Sequence, residues 1–182
     1  GGCEGTPPAA EVCNELDDDC DDLTDEGDVC GLHLYVDASN VDDALENGSE
    51  DHPFDRLDEA IALLEAGATV HVAAGAYEGG LTVAFAGVTV VGAGRDVVTI
   101  TAPVGGTGLT VTGDDVTLTG LGFTGGAVGV AIAGAEGALV QGGVVEDCRV
   151  ADIVAPADAS LPATGISLDY ANGARVVDCE IE

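Results

Sequence analysis

Residues 108–123, GLTVTGDDVTLTGLGF, and residues 165–181, GISLDYANGARVVDCEI, decide the fold, because one can be laid on the other. In that alignment Leu109 stands over Ile166, Val111 over Leu168, Leu118 over Val176, Leu121 over Cys179 and Phe123 over Ile181. A third copy, GVAIAGAEG (129–137) followed by VVEDCRV (144–150), puts Val130, Ile132, Cys148 and Val150 in the same columns. Apolar residues at every second position are the pattern of a strand with one face buried. Short strands repeated in register are the pattern of a solenoid, in which each coil touches only its neighbours. The step from Leu121 to Cys148 is 27 positions and from Cys148 to Cys179 is 31, the longer step taking up a loop around APADASLPA (155–163). Loops of varied length on a constant strand register are what a solenoid tolerates, and the repeat therefore predicts a mainly β chain of parallel β-helix character.

Working outward, the same texture of short alternating strands and glycine turns begins at Thr69, with TVHVAAG, LTVAFAG, VTVVGAG and VVTITAP. Upstream, LHLYVDAS predicts one further strand, and Asn40 to Asp51 an acidic loop. In FDRLDEAIALLEAG, Phe54, Leu57, Ala60, Ile61 and Leu64 recur at helical spacing and Gly67 closes the helix. That helix is expected to cap its own domain rather than bind a partner. The chain thus divides into a Cys-rich acidic module over residues 1–31, a strand, loop and capping helix over 32–68, and coils over 69–182. Beginning at Gly1 without Met or a leader, it reads as a processed or excised segment.

Composition excludes several classes. Thirty-four Asp and Glu face four arginines and no lysine, a formal charge of −30 at pH 7. No basic surface exists to meet phosphates, so nucleic acid is not a partner. No run approaches the ~20 apolar residues of a transmembrane helix. With only 3 Phe, 3 Tyr, no Trp and no Met, the core must be built from Val, Ala, Leu and Ile. Four cysteines, Cys3, Cys13, Cys20 and Cys30, fall within thirty residues that have almost no apolar content, which implies disulfides of open pairing and a secreted or cell-surface setting. Their spacing lacks the C-x₂₋₄-C pair of a zinc site. Cys148 and Cys179 share a column on adjacent coils ~4.8 Å apart, close enough either for a disulfide or for stacked buried thiols.

The acids of the first thirty residues have a spacing of their own. In EVCNELDDDCDDLTDEG, Asp17, Asp19 and Asp21 alternate, with Asp25 and Glu26 beyond them. A D-x-D-x-D loop turns alternate carboxylates inward, as a hard cation wanting six to eight oxygens requires. The Leu23 carbonyl and Asp28 complete the candidate Ca²⁺ ligands, although Asp22 takes the place of the usual glycine and Asp28 is shorter than the usual Glu. With no His or Met in the motif, calcium rather than copper is the expected ion.

Two resemblances follow. Residues 11–30 resemble the MopE-type metal-binding repeat, C-[ND]-G-x-D-[ND]-D-C-D-G-x-x-D-E-G, through Cys13, Asn14, Asp17, Asp18, Asp19, Cys20, Asp21, Asp25, Glu26 and Gly27, with Glu15 and Asp22 replacing two glycines. That family occurs in secreted and surface proteins. YVDASN, HPFDRLDEAIALLEAGATVHVAAGAYEGGLTV and VTVVGAG resemble the opening of pectate-lyase-like proteins, which implies a right-handed parallel β-helix behind an N-terminal capping helix. One fold of this kind serves lyases, hydrolases, adhesins and plain scaffolds.

No catalytic constellation is legible. A lyase needs a base beside an acidic Ca²⁺ cluster, and a hydrolase needs convergent carboxylates. Arg56 falls in the helix, Arg95 in a turn, and Arg149 and Arg175 in different columns; Asp114-Asp115 reads as a turn, and His71, between Val70 and Val72, faces outward. The leading expectation is a calcium-binding structural or adhesive scaffold, a filament or surface-layer component that meets an extracellular glycan or surface partner and assembles with copies of itself through the β-helix ends. The alternative is a fragment of a β-helix polysaccharide lyase or glycoside hydrolase.

Overall fold

Strands form here because Val, Ile, Leu and Thr alternate in runs of three to six, and the chain turns wherever Gly or Asp can take a left-handed conformation. A computed structural model describes residues 31–41, 43–154 and 163–182. β1 (His33–Val36) is followed by the acidic loop and by α1 (Leu57–Ala62). A first full coil holds β2 (Thr69–Val72), β3 (Gly75–Glu78) and β4 (Leu81–Val83), and a second holds β5 (Thr89–Gly92), β6 (Val98–Thr101) and β7 (Thr107–Val111). The third comprises β8 (Thr117–Thr119), β9 (Gly122–Thr124) and β10 (Val128–Ala133). The fourth runs through β11 (Val140–Gln141), β12 (Val144–Glu146), β13 (Arg149–Ala151) and β14 (Thr164–Asp169), and the last through β15 (Ala171–Asn172), β16 (Arg175–Val177) and β17 (Glu180–Ile181).

Each of the first four coils gives one strand to each of three sheets, and the last coil to two of them: a six-stranded sheet ordered β1-β2-β5-β8-β12-β16, a five-stranded sheet β17-β13-β9-β6-β3 and a four-stranded sheet β14-β10-β7-β4, with a small β11-β15 pair beside them. Every strand pair is parallel. This is a parallel β-solenoid, and the columns read from sequence are its register. Val130 pairs with Leu109 on one side and Ile166 on the other, Val145 with Leu118 and Val176, and Val150 with Phe123 and Ile181. The interior is aliphatic with three buried aromatics, Phe54, Tyr77 and Phe123; among the described residues no polar or charged residue other than Tyr77 is buried there, and its hydroxyl donates to the Ala73 carbonyl at 2.8 Å.

The corners are as regular as the strands. Two residues ahead of β2, β5, β8, β12 and β16 the backbone turns left-handed, at Gly67, Gly87, Asp115, Gly142 and Gly173, with φ of 79°, 70°, 53°, 65° and 70°. Four of these are glycine, which takes that conformation without steric cost, and Asp is among the few other residues that do so readily. The amides of the first four corners bind the next coil: Gly67 to Ala86 O at 2.9 Å, Gly87 to Asp114 O at 2.8 Å, Asp115 to Gln141 O at 2.8 Å and Gly142 to Asn172 O at 3.0 Å. GDD is a turn, as its sequence reads.

At the N-terminal end α1 packs against β1, β3 and β4, burying Leu57 and Ala60 over the first strands of the two sheets that β1 does not extend. Asp58 and Glu59 in its first turn suit the positive end of the helix dipole. The helix is shorter than the apolar spacing suggests. Phe54 belongs instead to a bridge with Val36, and after Ala62 the amides of Leu63 and Leu64 reach back only three residues, to Ala60 O and Ile61 O. Gly67 serves the first corner rather than the helix end.

Candidate functional site

The residues nominated from sequence as metal ligands, Asp17, Asp19, Asp21, Leu23, Asp25, Glu26 and Asp28, lie outside the described residues, as do Cys3, Cys13, Cys20 and Cys30. Cys148 and Cys179 lie within them, and both are free thiols. They occupy one inward column, Cys148 Sγ lying 3.2 Å from Glu146 O and Cys179 Sγ 3.3 Å from Val177 O. Burial pushes the Cys148 thiol up to about 12, so it is a packing residue with no thiolate character.

Among the described residues one group of carboxylates converges. Glu46 from the acidic loop, Asp55 and Glu59 of α1 each bring an oxygen to within 4.8 Å of the others. Glu46 accepts a hydrogen bond from the Asp55 amide at 3.3 Å, while Glu59 Oε2 is cut off from solvent with no donor. Burial first, and then the Glu46 carboxylate, hold the Glu59 carboxyl above its ordinary value. Three carboxylates fill at most half of a calcium shell, and the trio does not identify calcium. Asp114 is a brace: its Oδ1 accepts from the Gln141 amide of the next coil at 2.8 Å.

Sequence reading missed a recess on the outer face of the five-stranded sheet. Arg95 and Arg149 line it together with Asp96, Thr99 and Asp152, around a volume of about 210 Å³. Gly122 stands between Thr99 and Arg149 in that column and lets the carbonyls of Arg95 and Val98 approach, since a Cβ there would run into both. The signal was present as that glycine, but Arg95 reaches the recess only through the fold of the Gly94–Val98 turn. Both guanidiniums are engaged, Arg95 with Asp178 O at 2.8 Å and Asp147 at 3.4 Å, Arg149 with Glu182 at 2.7 Å. Glu182 holds Arg149 above the usual guanidinium value, the opposite of the shift that a general base needs.

The outward face of β1 and β2 carries an aromatic group. Leu34, Val36, Val70 and Val72 point inward and are buried, which turns His33, Tyr35 and His71 to the other face. The Tyr35 and His71 rings stack with centroids 4.6 Å apart and planes 16° apart, and His33 and His71 stack at 5.4 Å and 12°. His33 Nδ1 lies 3.1 Å from His71 Nε2. Beside them a recess of about 310 Å³ is lined by Tyr35, His71, Asp37, Glu50 and Pro53. Burial and then the His33 charge hold His71 below the usual imidazole range.

The fold and these surfaces define a parallel β-solenoid whose polar groups lie on its outer faces and corners. No protein-family model matches the chain, and no curated protein matches its sequence. No helix among the described residues is long and apolar enough to cross a membrane.

Proposed function

We propose that the protein is a secreted or cell-surface scaffold whose first thirty residues bind Ca²⁺ and whose solenoid is the rigid element they attach to. The observation that carries the reading is the use made of polar groups along the coils. Asp114, Arg149 and Gln141 each tie one coil to the next, Gln141 by accepting from Asn172 Nδ2 at 2.7 Å, and so act as braces. The MopE-type resemblance supports a Ca²⁺ module closed by disulfides among Cys3, Cys13, Cys20 and Cys30. The pectate-lyase-like resemblance, with the strong preference of parallel crossovers for one hand, supports a right-handed winding under the α1 cap.

The outermost strands, β14, β16 and β17, support assembly as a second element of the proposal. Leu168, Val176 and Ile181 are 46%, 42% and 58% exposed, whereas Ile132, Val145 and Val150, one coil earlier in the same columns, are 1%, 0% and 0% exposed. This apolar edge is the surface proposed to dock a second copy, and the nearby Glu180 and Glu182 make docking of a like-charged copy dependent on cations.

Calorimetric titration of the whole chain with Ca²⁺ tests the first element. Asp19→Ala is expected to weaken uptake by about tenfold or more while Asp58→Ala leaves it unchanged; equal effects, or no binding heat, overturn the calcium reading. Light scattering with and without chelator tests the second, a chelator-insensitive monomer at high concentration excluding self-assembly. Depolymerisation of a polyuronate, lost on Arg149→Gln, would replace both with the enzyme reading.

A further inference from the structure

We propose that Asn47, in the acidic loop between β1 and α1, is the acceptor of an N-linked oligosaccharide, an inference that rests on the secreted or cell-surface reading above. Of the chain's four asparagines, Asn14, Asn40, Asn47 and Asn172, only Asn47 is followed two places on by a hydroxyl residue, in Asn47-Gly48-Ser49, with a middle residue other than proline. That is the spacing at which glycans are transferred to asparagine. A motif of three residues also arises by chance, so the surroundings decide. Asn47 and Ser49 are both exposed, as are Leu45, Glu50 and Asp51 around them. The nucleophile is available as well. Asn40 Nδ2 donates to Pro53 O at 2.6 Å and Asn172 Nδ2 to Gln141 Oε1 at 2.7 Å, whereas Asn47 Nδ2 has no partner among the described residues. Asn47 Oδ1 accepts from the Ser49 amide at 2.9 Å, which holds the side-chain amide and the hydroxyl residue in one turn. Ser49 Oγ accepts from the His52 amide at 3.3 Å and keeps its own proton to donate.

The plainer use of Asn47 is to close that turn, and the neighbouring turns weigh against it. Asp37 accepts from the Ser39 amide at 2.8 Å and Asp43 from the Leu45 amide at 2.9 Å, so the same device is built twice nearby with aspartate. In a chain of 34 acids the turn alone does not call for an amide at position 47. Gly48, by contrast, is required by the fold: its φ is 81°, and a Cβ there would run into the Phe54 ring. Asn-Gly pairs also deamidate, by attack of the glycine amide on the side chain. Here that amide is engaged, donating to His52 O at 3.0 Å. The donor that the site calls for is a polyprenyl-diphosphate-linked oligosaccharide. Asn47 Nδ2 attacks the anomeric carbon, the new N–C bond forms as the C–O bond to the diphosphate breaks, and the lipid diphosphate leaves with the electron pair. Nδ2 gives up one of its two protons, and the side chain stays neutral.

The test incubates the whole folded chain with a purified oligosaccharyltransferase and a polyprenyl-diphosphate oligosaccharide, and reads occupancy by tandem mass spectrometry of the intact glycopeptide. Reading the glycan itself separates transfer from deamidation. Modification at Asn47 is expected, lost in Asn47→Gln and in Ser49→Ala, kept in Ser49→Thr and unchanged in Asn172→Gln, with circular dichroism melts verifying that each variant folds. Asn172 supplies the same Asn-Gly pair without the hydroxyl and should stay bare. The chain isolated from its own host separates this inference from the reading it rests on. A glycosylated extracellular chain supports both. Transfer in vitro together with an unmodified chain confined to the cell interior supports the acceptor and overturns the secreted reading. No transfer in vitro, transfer that survives Ser49→Ala, or an extracellular chain bare at Asn47 overturns the proposal.

Discussion

Glu59 carries a buried carboxylate oxygen with no protein donor against it, in the company of Glu46 and Asp55, and the neighbouring Arg56 charge offsets that company. Its carboxyl is held above the reference value of 4.5, so the folded chain binds this proton more tightly than the unfolded one. The stabilisation is therefore complete below about pH 4.5 and disappears as pH rises through the folded-state value. Asp43, lowered by the Leu45 amide and by His52, works in the other direction and loses its contribution on acidification. Glu59→Gln keeps the shape and removes the charge. Thermal melts at pH 7 should rise by a few degrees, on the order of what ~1 kcal/mol produces in a chain of this size, and the difference from the unaltered chain should vanish near pH 4. The cysteine column gives a second test at this scale. Cys148 is fully buried and Cys179 is not, so iodoacetamide should label Cys179 first by mass spectrometry, with Cys148 reacting only after denaturant is added.

Among the elements, α1 bears on stability most directly. Leu57 is 2% exposed and Ala60 0%, both pressed on the first coil. Leu57→Ala is expected to cost about 2–5 kcal/mol in urea unfolding, since it opens a cavity at the only helix covering that end among the described residues. The elements also show what could be read in advance. The inward columns through Leu109, Leu118 and Phe123 were legible because burial on one face leaves an alternation in the letters, and one correct pairing sets the rest of the register. The helix end was not legible. Phe54 and Leu64 fit a helical stripe equally well, yet Pro53 and the bridge from Phe54 to Val36 take the first turn away. Convergences across long separations were hidden for another reason. Glu46 meets Glu59, and Arg95 meets Arg149, through loop conformations that no local period encodes. His71 was legible as outward, but its pairing with His33 needed the register of β1 on β2.

For the whole molecule, the contrast between its two ends has a mechanical meaning. The helix-covered end is held by side chains from α1, β1, β3 and β4 together, while β16 and β17 are held by one neighbouring strand each. Force applied at Glu182 should therefore peel the solenoid from that end, one turn at a time, as a zipper opens. The columns set the length of each event. Detaching the turn between Cys148 and Cys179 frees 31 residues, a contour gain of roughly 100–110 Å, and the turn before it frees 27, roughly 90–100 Å. Optical-tweezer traces should show a staircase with these unequal steps in that order, at nearly constant force because successive turns are held by similar ladders. A single cooperative rip of the whole chain would show instead that the turns share their strength. A body that yields in this way lengthens under load while its helix-covered end stays folded.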